Sequence, residues 1–397
     1  MTNAFRRVFW SAGFGWMFDA MDVGLLSFVI VMLRNEWQLT PGEAGMLGTF
    51  NMLGMAFGAS LGGLLADRFG RRPVFLSTLA VFGLASFGSA AATGFGAMLA
   101  FRFVMGLGLG AELPVASTLV NEFAPERHRG RAVVLLESFW AAGWIAAAII
   151  AYYVMPAYGW RAAVVIGSLP ALYAFFIRNN IPESPAFRRT AERPRAAGLF
   201  TAFRNETIAL WSVWFAISFS YYGMFLWLPS ILVEKGYTVI QSFSYVLWMT
   251  AAQLPGYFAA AYLIEKLGRK WTLSLFLLLT AAAAFGFGES ESVSAMLAFG
   301  ALLSFSNLGA WGALYAYTPE NYPASVRASG SGFAAAFGRL GSVAAPWIVG
   351  ALMERRVGYG TIFGMFTVVL AAGVIALVLL GKETKPSFSW FTPDRAK

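Results

Sequence analysis

Long runs of apolar residues alternate with short polar connections along almost the whole chain. The runs lie at residues 8–33, 45–66, 73–92, 96–118, 131–153, 160–178, 206–232, 239–263, 271–288, 294–318, 328–352 and 358–381. An α-helix needs about 20 predominantly apolar residues to cross a bilayer, and most of the runs have about this length. The pattern therefore predicts an all-α membrane protein with twelve transmembrane helices.

One polar segment interrupts this regular spacing near the middle of the chain. The segment "RNNIPESPAFRRTAERPRAAG", residues 178–198, is much longer than the other connections. It predicts an N-terminal six-helix bundle at residues 1–178, a linker at 179–205, and a C-terminal six-helix bundle with a tail at 206–397. Because each half has an even number of spans, both termini and the linker are expected on one side of the membrane.

Basic residues collect on the side that carries the termini. Few lie on the other side, namely Arg34, Arg161, Lys235, Arg355 and Arg356. Since loops rich in Arg and Lys stay in the cytoplasm, the termini and linker are predicted to be cytoplasmic. This orientation explains the net charge of +9, so the charge does not indicate nucleic-acid binding, which needs a basic folded face.

The composition agrees with a membrane protein and excludes several kinds of site. Hydrophobic residues make up 58% of the chain and charged residues 12%, whereas about a quarter of a typical soluble chain is charged. The first run is longer than the apolar region of a signal peptide, about 7–15 residues, so it is interpreted as a spanning helix. With no cysteine and a single histidine, His128, the chain has no cysteine nucleophile and no cysteine or histidine metal cluster. No cofactor and no metal are predicted.

Two polar motifs occur once in each half, at an offset of 198 residues. "LLADRFGRR" at 64–72 matches "YLIEKLGRK" at 262–270, and "EFAPERHR" at 122–129 matches "ENYPASVR" at 320–327. The charged residues expected to act are Asp67, Arg71, Glu122 and Arg129 in the first half, and their matches Glu265, Arg269, Glu320 and Arg327 in the second. We interpret them as clamps that hold one conformational state until the two bundles move. The alternative is that these loops only fix the topology, but topology explains the arginines without the accompanying acids.

The first run contains two carboxylates, Asp19 and Asp22, in "GWMFDAMDV" at residues 15–23. Residues three apart share a helix face, and a carboxylate at membrane depth normally faces a partner or a water-filled cavity. At 1.5 Å per residue, Asp22 and Arg102 of the fourth run lie at nearly the same depth, so we expect them to pair. Either the pair is a fixed structural salt bridge, or protonation of Asp22 loosens it and couples proton movement to a substrate.

Two further acids are alternative proton carriers. Glu112 lies in the fourth run, beside a proline, and Glu137 lies about two turns into the fifth run. Burial and a neighbouring arginine act in opposite directions on a carboxylate. The expected order of importance is Asp22, Asp19, Glu137 and Glu112.

Several of these strings resemble a known family. "GGLLADRFGRR", "RFVMGLGLG", "EFAPERHRGR" and "PESP" resemble the major facilitator superfamily, in the region shared by sugar porters and organic-ion transporters. "GWMFDAMDVGLLSFV", "GAELPVAS" and "SFSYYG" resemble its bacterial niacin transporter branch, which is akin to the synaptic vesicle glycoproteins. The resemblance implies the major facilitator fold, with two pseudo-symmetric six-helix bundles, and a place in the bacterial inner membrane.

A group of aromatic and amide side chains is expected at mid-membrane depth. Depth selects Trp140, Tyr221, Tyr222, Gln253 and Trp311, and the resemblance implies that Trp140, Tyr221, Tyr222, Trp311 and Tyr315 form an aromatic pocket. Such rings suit a small planar aromatic substrate. Arg102 and Arg339 offer a carboxylate partner, whereas Asp19 and Asp22 suit an organic cation, so the residues alone leave the charge of the substrate open.

The resemblance favours an aromatic carboxylate such as nicotinate, with Arg339 as a cationic contact. The expected function is proton-coupled uptake of this substrate by alternating access, carried out by a monomer in the lipid bilayer. The alternatives are a transporter of organic cations or sugars, or an uncoupled facilitator. A membrane enzyme or a receptor is disfavoured, because no catalytic constellation lies at depth and a receptor does not need two repeats with matched charged loops.

Overall fold

The computed structural model describes residues 3–123, 129–169, 172–173, 176, 202–323 and 326–384. Within these ranges the side chains of residues 3–4, 63–64, 66–67, 71, 112–123, 129–135 and 328–329 are not described. The described residues form α-helices joined by short connections. The helices of the first half are α1 (Asn3–Trp37), α2 (Pro41–Phe69), α3 (Arg71–Ser89), α4 (Phe95–Phe123), α5 (Arg129–Tyr153) and α6 (Met155–Gly167).

The second half contains more and shorter helices. They are α7 (Arg204–Phe225), α8 (Leu228–Glu234), α9 (Val239–Ala251), α10 (Gln253–Lys266), α11 (Arg269–Gly288), α12 (Val293–Glu320), α13 (Arg327–Glu354) and α14 (Tyr359–Leu380). In the described residues, eight helices are long and apolar enough to cross a membrane on their own. The twelve expected spans are present as α1 to α6, the pairs α7–α8 and α9–α10, and α11 to α14.

The two broken spans correct the expectation of continuous helices at 206–232 and 239–263. Pro229 lies in the first turn of α8, and Pro255 lies in the first turn of α10. A proline lacks an N–H and clashes with the carbonyl group four residues earlier. Those earlier residues are Phe225 and Ala251, at which α7 and α9 end. Each proline therefore divides its span into two shorter helices.

Helix packing repeats between the halves, as the sequence repeat predicts. In the first half α1 packs on α5, and α4 packs on α2 and α3; in the second, α7 packs on α13, and α12 packs on α10 and α11. The repeat extends to the backbone. Gly70 before α3 and Gly268 before α11 occupy matching positions with φ of 99° and 98°, a conformation that favours glycine.

Helices α2 and α4 approach each other very closely. A Cβ atom at Gly54 would lie 2.2 Å from the carbonyl oxygen of Phe103, and one at Gly106 would lie 2.2 Å from that of Asn51. Small residues spaced four apart allow this backbone contact between membrane helices. The contact fixes α4, and with it Arg102, against the rest of the first half.

The bundle has two ends, which we call the terminal side and the far side. Helix α1 begins and α14 ends on the terminal side, and α1 ends on the far side. Contacts between the halves involve mainly α2 with α13, α5 with α9 and α10, and α1 with α8. The core of the molecule is continuous across this junction, which is where the candidate site lies.

Candidate functional site

The aromatic residues expected at mid-depth come together at the junction of the halves. The indole N–H of Trp140, on α5, donates a hydrogen bond to the hydroxyl oxygen of Tyr221, on α7, at 2.6 Å. The ring of Tyr221 lies 6.1 Å from that of Trp311, and Trp311 stacks on Tyr315 at 5.7 Å. Tyr222 contacts Tyr221 edge to face at 5.1 Å. We call these five residues the aromatic site; both halves contribute to it.

Three aromatic neighbours of the site were not singled out from the sequence. The ring of Trp16, on α1, lies 4.7 Å from that of Trp140, and Trp144 contacts Tyr221 at 6.1 Å. Trp214 contacts Trp311 at 5.5 Å. A usable signal exists for Trp16, because it lies three residues before Asp19 and thus shares its helix face.

Two buried amides lie on α10, which packs on α5 and α12, and on α12 itself. Gln253 is the first residue of α10, and Asn307 lies four residues before Trp311 on α12. Both are fully buried, and their side-chain N and O atoms have no hydrogen-bond partner among the described residues. An unpaired buried amide costs about 1–3 kcal/mol. A bound molecule with a polar edge would satisfy these groups; Asn307 was not selected from the sequence.

Asp22 and Arg102 form the pair that their depths predict. Nη1 of Arg102 lies 3.3 Å from Oδ2 and 3.5 Å from Oδ1 of Asp22. Arg102 is fully buried, and Asp22 is 2% exposed. Within the described part of the chain, Nε and Nη2 of Arg102 have no partner. The guanidinium group therefore retains donors that a second anion or water can occupy.

Two other candidate proton carriers have described side chains, Asp19 and Glu137. They lie near the aromatic site rather than at the Asp22–Arg102 pair. Asp19 and Glu137 are both buried, and both interact electrostatically with the Tyr222 hydroxyl group, as does Arg339. Trp16 is the polar neighbour of Glu137, although its indole N–H lies outside hydrogen-bonding geometry. Two carboxylates and one guanidinium group therefore lie near the aromatic site. The side chain of Glu112 lies outside the described residues.

The clamp residues of the second half form one cluster on the terminal side. Nε of Arg269 lies 3.2 Å from Oε2 of Glu320, and its Nη2 lies 3.4 Å from Oε1 of Glu265. The backbone N–H of Arg269 donates to Glu383 at 2.8 Å. Arg327 instead donates to the carbonyl oxygen of Tyr322. The side chains of their counterparts Asp67, Arg71, Glu122 and Arg129 lie outside the described residues.

The halves are held together on the far side. Arg34 forms an ion pair with Glu234 at 2.5 Å, and the hydroxyl group of Thr49 donates to the carbonyl oxygen of Val343 at 2.9 Å. The backbone N–H of Gly42 donates to Glu354 at 3.2 Å. The aromatic site is therefore closed toward the far side.

Comparison with known proteins agrees with this architecture. The family profile described as Major Facilitator Superfamily matches residues 12–254 and 245–396. The chain is 52% identical over 386 residues to the putative niacin/nicotinamide transporter NiaP of Bacillus subtilis (strain 168), with 96% of each chain covered. It is 46% identical over 410 residues to the niacin transporter NiaP of Acinetobacter baylyi, covering 95% of this chain and 93% of that one.

A solved structure shows the same fold at low identity. The D-xylose–proton symporter superposes with a TM-score of 0.80 at 19% identity, covering 96% of this chain and 99% of that chain. The relatives matched over nearly their full length are transporters, so the expectation that the chain is not an enzyme is confirmed. The chain belongs to the Major Facilitator Superfamily and is a membrane transporter with the twelve-helix fold of that family.

Proposed function

We propose that the protein takes up a small aromatic carboxylate, nicotinate in the first instance. The printed names of its relatives in Bacillus subtilis and Acinetobacter baylyi, a putative niacin/nicotinamide transporter and a niacin transporter, support this substrate. The observation that carries the proposal is the aromatic site, where Trp140 of the first half and Trp311 of the second flank Tyr221. A planar ring held between them contacts both halves at once.

Each chemical part of nicotinate has a matching group in the site. The indole and phenol rings offer faces for stacking, worth about 0.5–1.5 kcal/mol per ring pair beyond burial. Arg339, beside the Tyr222 hydroxyl group, supplies a positive charge for the carboxylate. The amides of Gln253 and Asn307 have free donors and acceptors within the described part of the chain, which suit the ring nitrogen or the carboxylate.

Proton coupling is assigned to the buried acids of the first half. Asp22 is the first candidate, because among the described residues it contacts a guanidinium group only through Nη1 of Arg102, and a proton would weaken that contact. Asp19 and Glu137 are the next candidates, since they share the site with the substrate. Glu112 remains a candidate from the sequence alone. If such an acid changes its protonation only when the substrate binds or leaves, the movement of the proton is coupled to the movement of the substrate.

Transport is proposed to proceed by alternating access, with residues 1–178 and 206–397 moving as two bodies about the aromatic site. The basic residues on the terminal side support a cytoplasmic position for both termini in a bacterial cell. In this orientation the far-side contacts close the site toward the exterior. One chain contains both bundles, so a monomer is the proposed working unit.

The proposal predicts selective uptake into proteoliposomes. Labelled nicotinate should accumulate when the exterior is more acidic than the interior, and unlabelled nicotinate should compete with it. Nicotinamide, which has the same shape without the charge, should compete at least about tenfold more weakly, because it loses the charge-assisted contacts. Nicotinate uptake that only equilibrates, with or without the gradient, would indicate a facilitator and contradict the coupling.

An organic cation remains the second candidate, because Asp19 and Glu137 lie among the aromatic rings. Such an arrangement attracts cations through both charge and ring faces. The same liposomes distinguish the two substrates when a pyridinium cation of similar size is added. Competition by the cation with none by nicotinate would replace the proposal with this alternative.

The Arg269 cluster leads to a prediction about the transport cycle. Replacing Arg269 with glutamine removes the cation between Glu265 and Glu320, which joins the ends of α10, α11 and α12. The uptake rate should fall about tenfold or more, while the nicotinate dissociation constant changes by less than about threefold, since the cluster is far from the aromatic site. Equal losses of rate and affinity would contradict a gating role. Lys266→Gln, an exposed cation on the same helix end, is the matched control.

A further inference from the structure

A polar cavity of about 260 Å³ lies on the far side, separate from the aromatic site. The end of α1 and the loop after it supply one wall, including Arg34 and Gln38. Helix α8 supplies the other wall with Ser230, Val233 and Glu234. Because these walls belong to different halves, anything that fills the cavity contacts both halves outside the closed part of the bundle.

The ion pair between Arg34 and Glu234 joins the two walls. Oε1 of Glu234 lies 2.5 Å from Nη1 of Arg34, and its Oε2 accepts a hydrogen bond from the Tyr359 hydroxyl group at 2.8 Å. Both oxygens of Glu234 are thus engaged. The contact links α1 of the first half to α8 and α14 of the second.

Two hydrogen-bond donors of this cavity have no acceptor among the described residues. Nε of Arg34 and the hydroxyl group of Ser230 are buried and have no partner among the described residues. Leaving such groups unpaired is unfavourable. A guanidinium N–H and a hydroxyl on facing walls match the two oxygens of a carboxylate, and Val233 beside them offers apolar surface for a small ring.

The loop that forms one edge of the cavity begins directly after the C-terminus of α1. Gln38 has a φ of 52° although it is not glycine, and its side-chain amide donates to the carbonyl oxygen of Asn35 at 2.7 Å. A left-handed residue directly after the last helical residue commonly ends an α-helix. Here it holds the loop that forms one edge of the cavity.

We propose that this cavity is an external binding site for the carboxylate substrate, occupied before the substrate reaches the aromatic site. The carboxylate accepts hydrogen bonds from Arg34 and Ser230 and competes with Glu234 for Arg34. Occupancy therefore weakens the contact between α1 and α8 and favours opening on the far side. The identity of the substrate rests on the proposed function, whereas the position of the site rests on the cavity itself.

The absence of cysteine from the sequence allows a direct test. A Val233→Cys variant places one thiol in the cavity, and a membrane-impermeant maleimide labels it in intact cells. Nicotinate at about ten times its dissociation constant should reduce the labelling rate to about one tenth, because only unoccupied protein reacts. Nicotinamide at the same concentration should leave the rate unchanged. Glu291→Cys, an exposed far-side position outside the cavity, should be labelled equally with and without nicotinate.

Three further substitutions, each combined with Val233→Cys, distinguish protection by nicotinate in the cavity from protection caused by its binding at the aromatic site. Arg34→Gln should abolish the protection, and Arg34→Lys, which keeps the charge but lacks Nε, should weaken it if the glutamine variant does not fold. Trp140→Ala, which alters the aromatic site, should leave the protection intact. Protection that survives Arg34→Gln, or that disappears with Trp140→Ala, would overturn the proposal. If the Val233→Cys protein shows protection but wild-type protein takes up no nicotinate, the proposed function fails and the external site stands.

Discussion

Replacing Trp140 with alanine is expected to abolish saturable nicotinate binding. The change removes a ring that contacts Trp16 at 4.7 Å and the indole donor to Tyr221. Truncating a central aromatic contact typically costs about 2 kcal/mol or more, roughly 30-fold in affinity. Trp311→Ala should have a similar effect from the other half, since this ring contacts both Tyr221 and Tyr315.

Binding is best measured as thermal stabilisation of the purified protein by nicotinate, because a ligand that binds only the native state raises Tm. Trp248 on α9 is 70% exposed, so Trp248→Ala is a matched control that should be stabilised like wild type. Trp140→Phe keeps a ring and should retain weakened binding, which separates loss of the contact from loss of the fold. Normal stabilisation of both Trp140→Ala and Trp311→Ala would mean that the substrate binds elsewhere.

Depth along a helix was the most informative quantity in the sequence. A constant rise per residue placed Asp22 and Arg102 at one level before any contact was known, and the structure confirms their pairing. The offset of 198 residues between the halves likewise predicted a repeat, which appears in the matching backbone of Gly70 and Gly268. Both inferences succeed because they depend on backbone geometry that side-chain packing does not change.

Rotation about a helix axis was much harder to predict. Trp144 is buried against Tyr221, whereas Trp248 is exposed, yet both are tryptophans within apolar spans. Lipid and protein interior are equally apolar, so hydrophobic periodicity does not distinguish the two faces. Asn307 was missed for this reason, whereas Trp16 was missed although its spacing from Asp19 was a usable signal.

The ion pair between Arg34 and Glu234 could not be predicted from the sequence for a different reason. Arg34 and Glu234 are separated by 200 positions in the sequence, and neither belongs to a repeated motif. Under the proposed alternating access, their contact forms only while the two halves are closed on that side, so it belongs to one conformational state. A sequence specifies all states of a transporter at once, and a pair that forms in only one of them leaves no periodic signal.

Replacing Asp22 with asparagine is expected to abolish accumulation of nicotinate against its gradient while leaving binding and exchange in place. Asparagine cannot take up a proton, so the variant resembles a permanently protonated Asp22. Counterflow of labelled against unlabelled nicotinate should therefore continue. Uptake driven by a proton gradient should fall to the level of equilibration. Asp19→Asn is the comparison, and accumulation by Asp22→Asn at the wild-type level would transfer the coupling role to Asp19, Glu137 or Glu112.

If Asp22 has only a structural role, the expected results differ. A variant of Arg102 distinguishes the structural role from the proton-coupling role. Removing one partner of a buried ion pair typically costs about 3–5 kcal/mol, because the other charge remains unpaired, and Arg102 already has buried donors without partners in the described residues. Asp22→Asn combined with Arg102→Gln leaves no unpaired charge and should restore the Tm in either case. If the pair is only structural, this double variant also regains gradient-driven accumulation. If Asp22 couples the proton, the double variant folds, binds nicotinate and still fails to accumulate it, because stability has been restored without a group that can carry the proton.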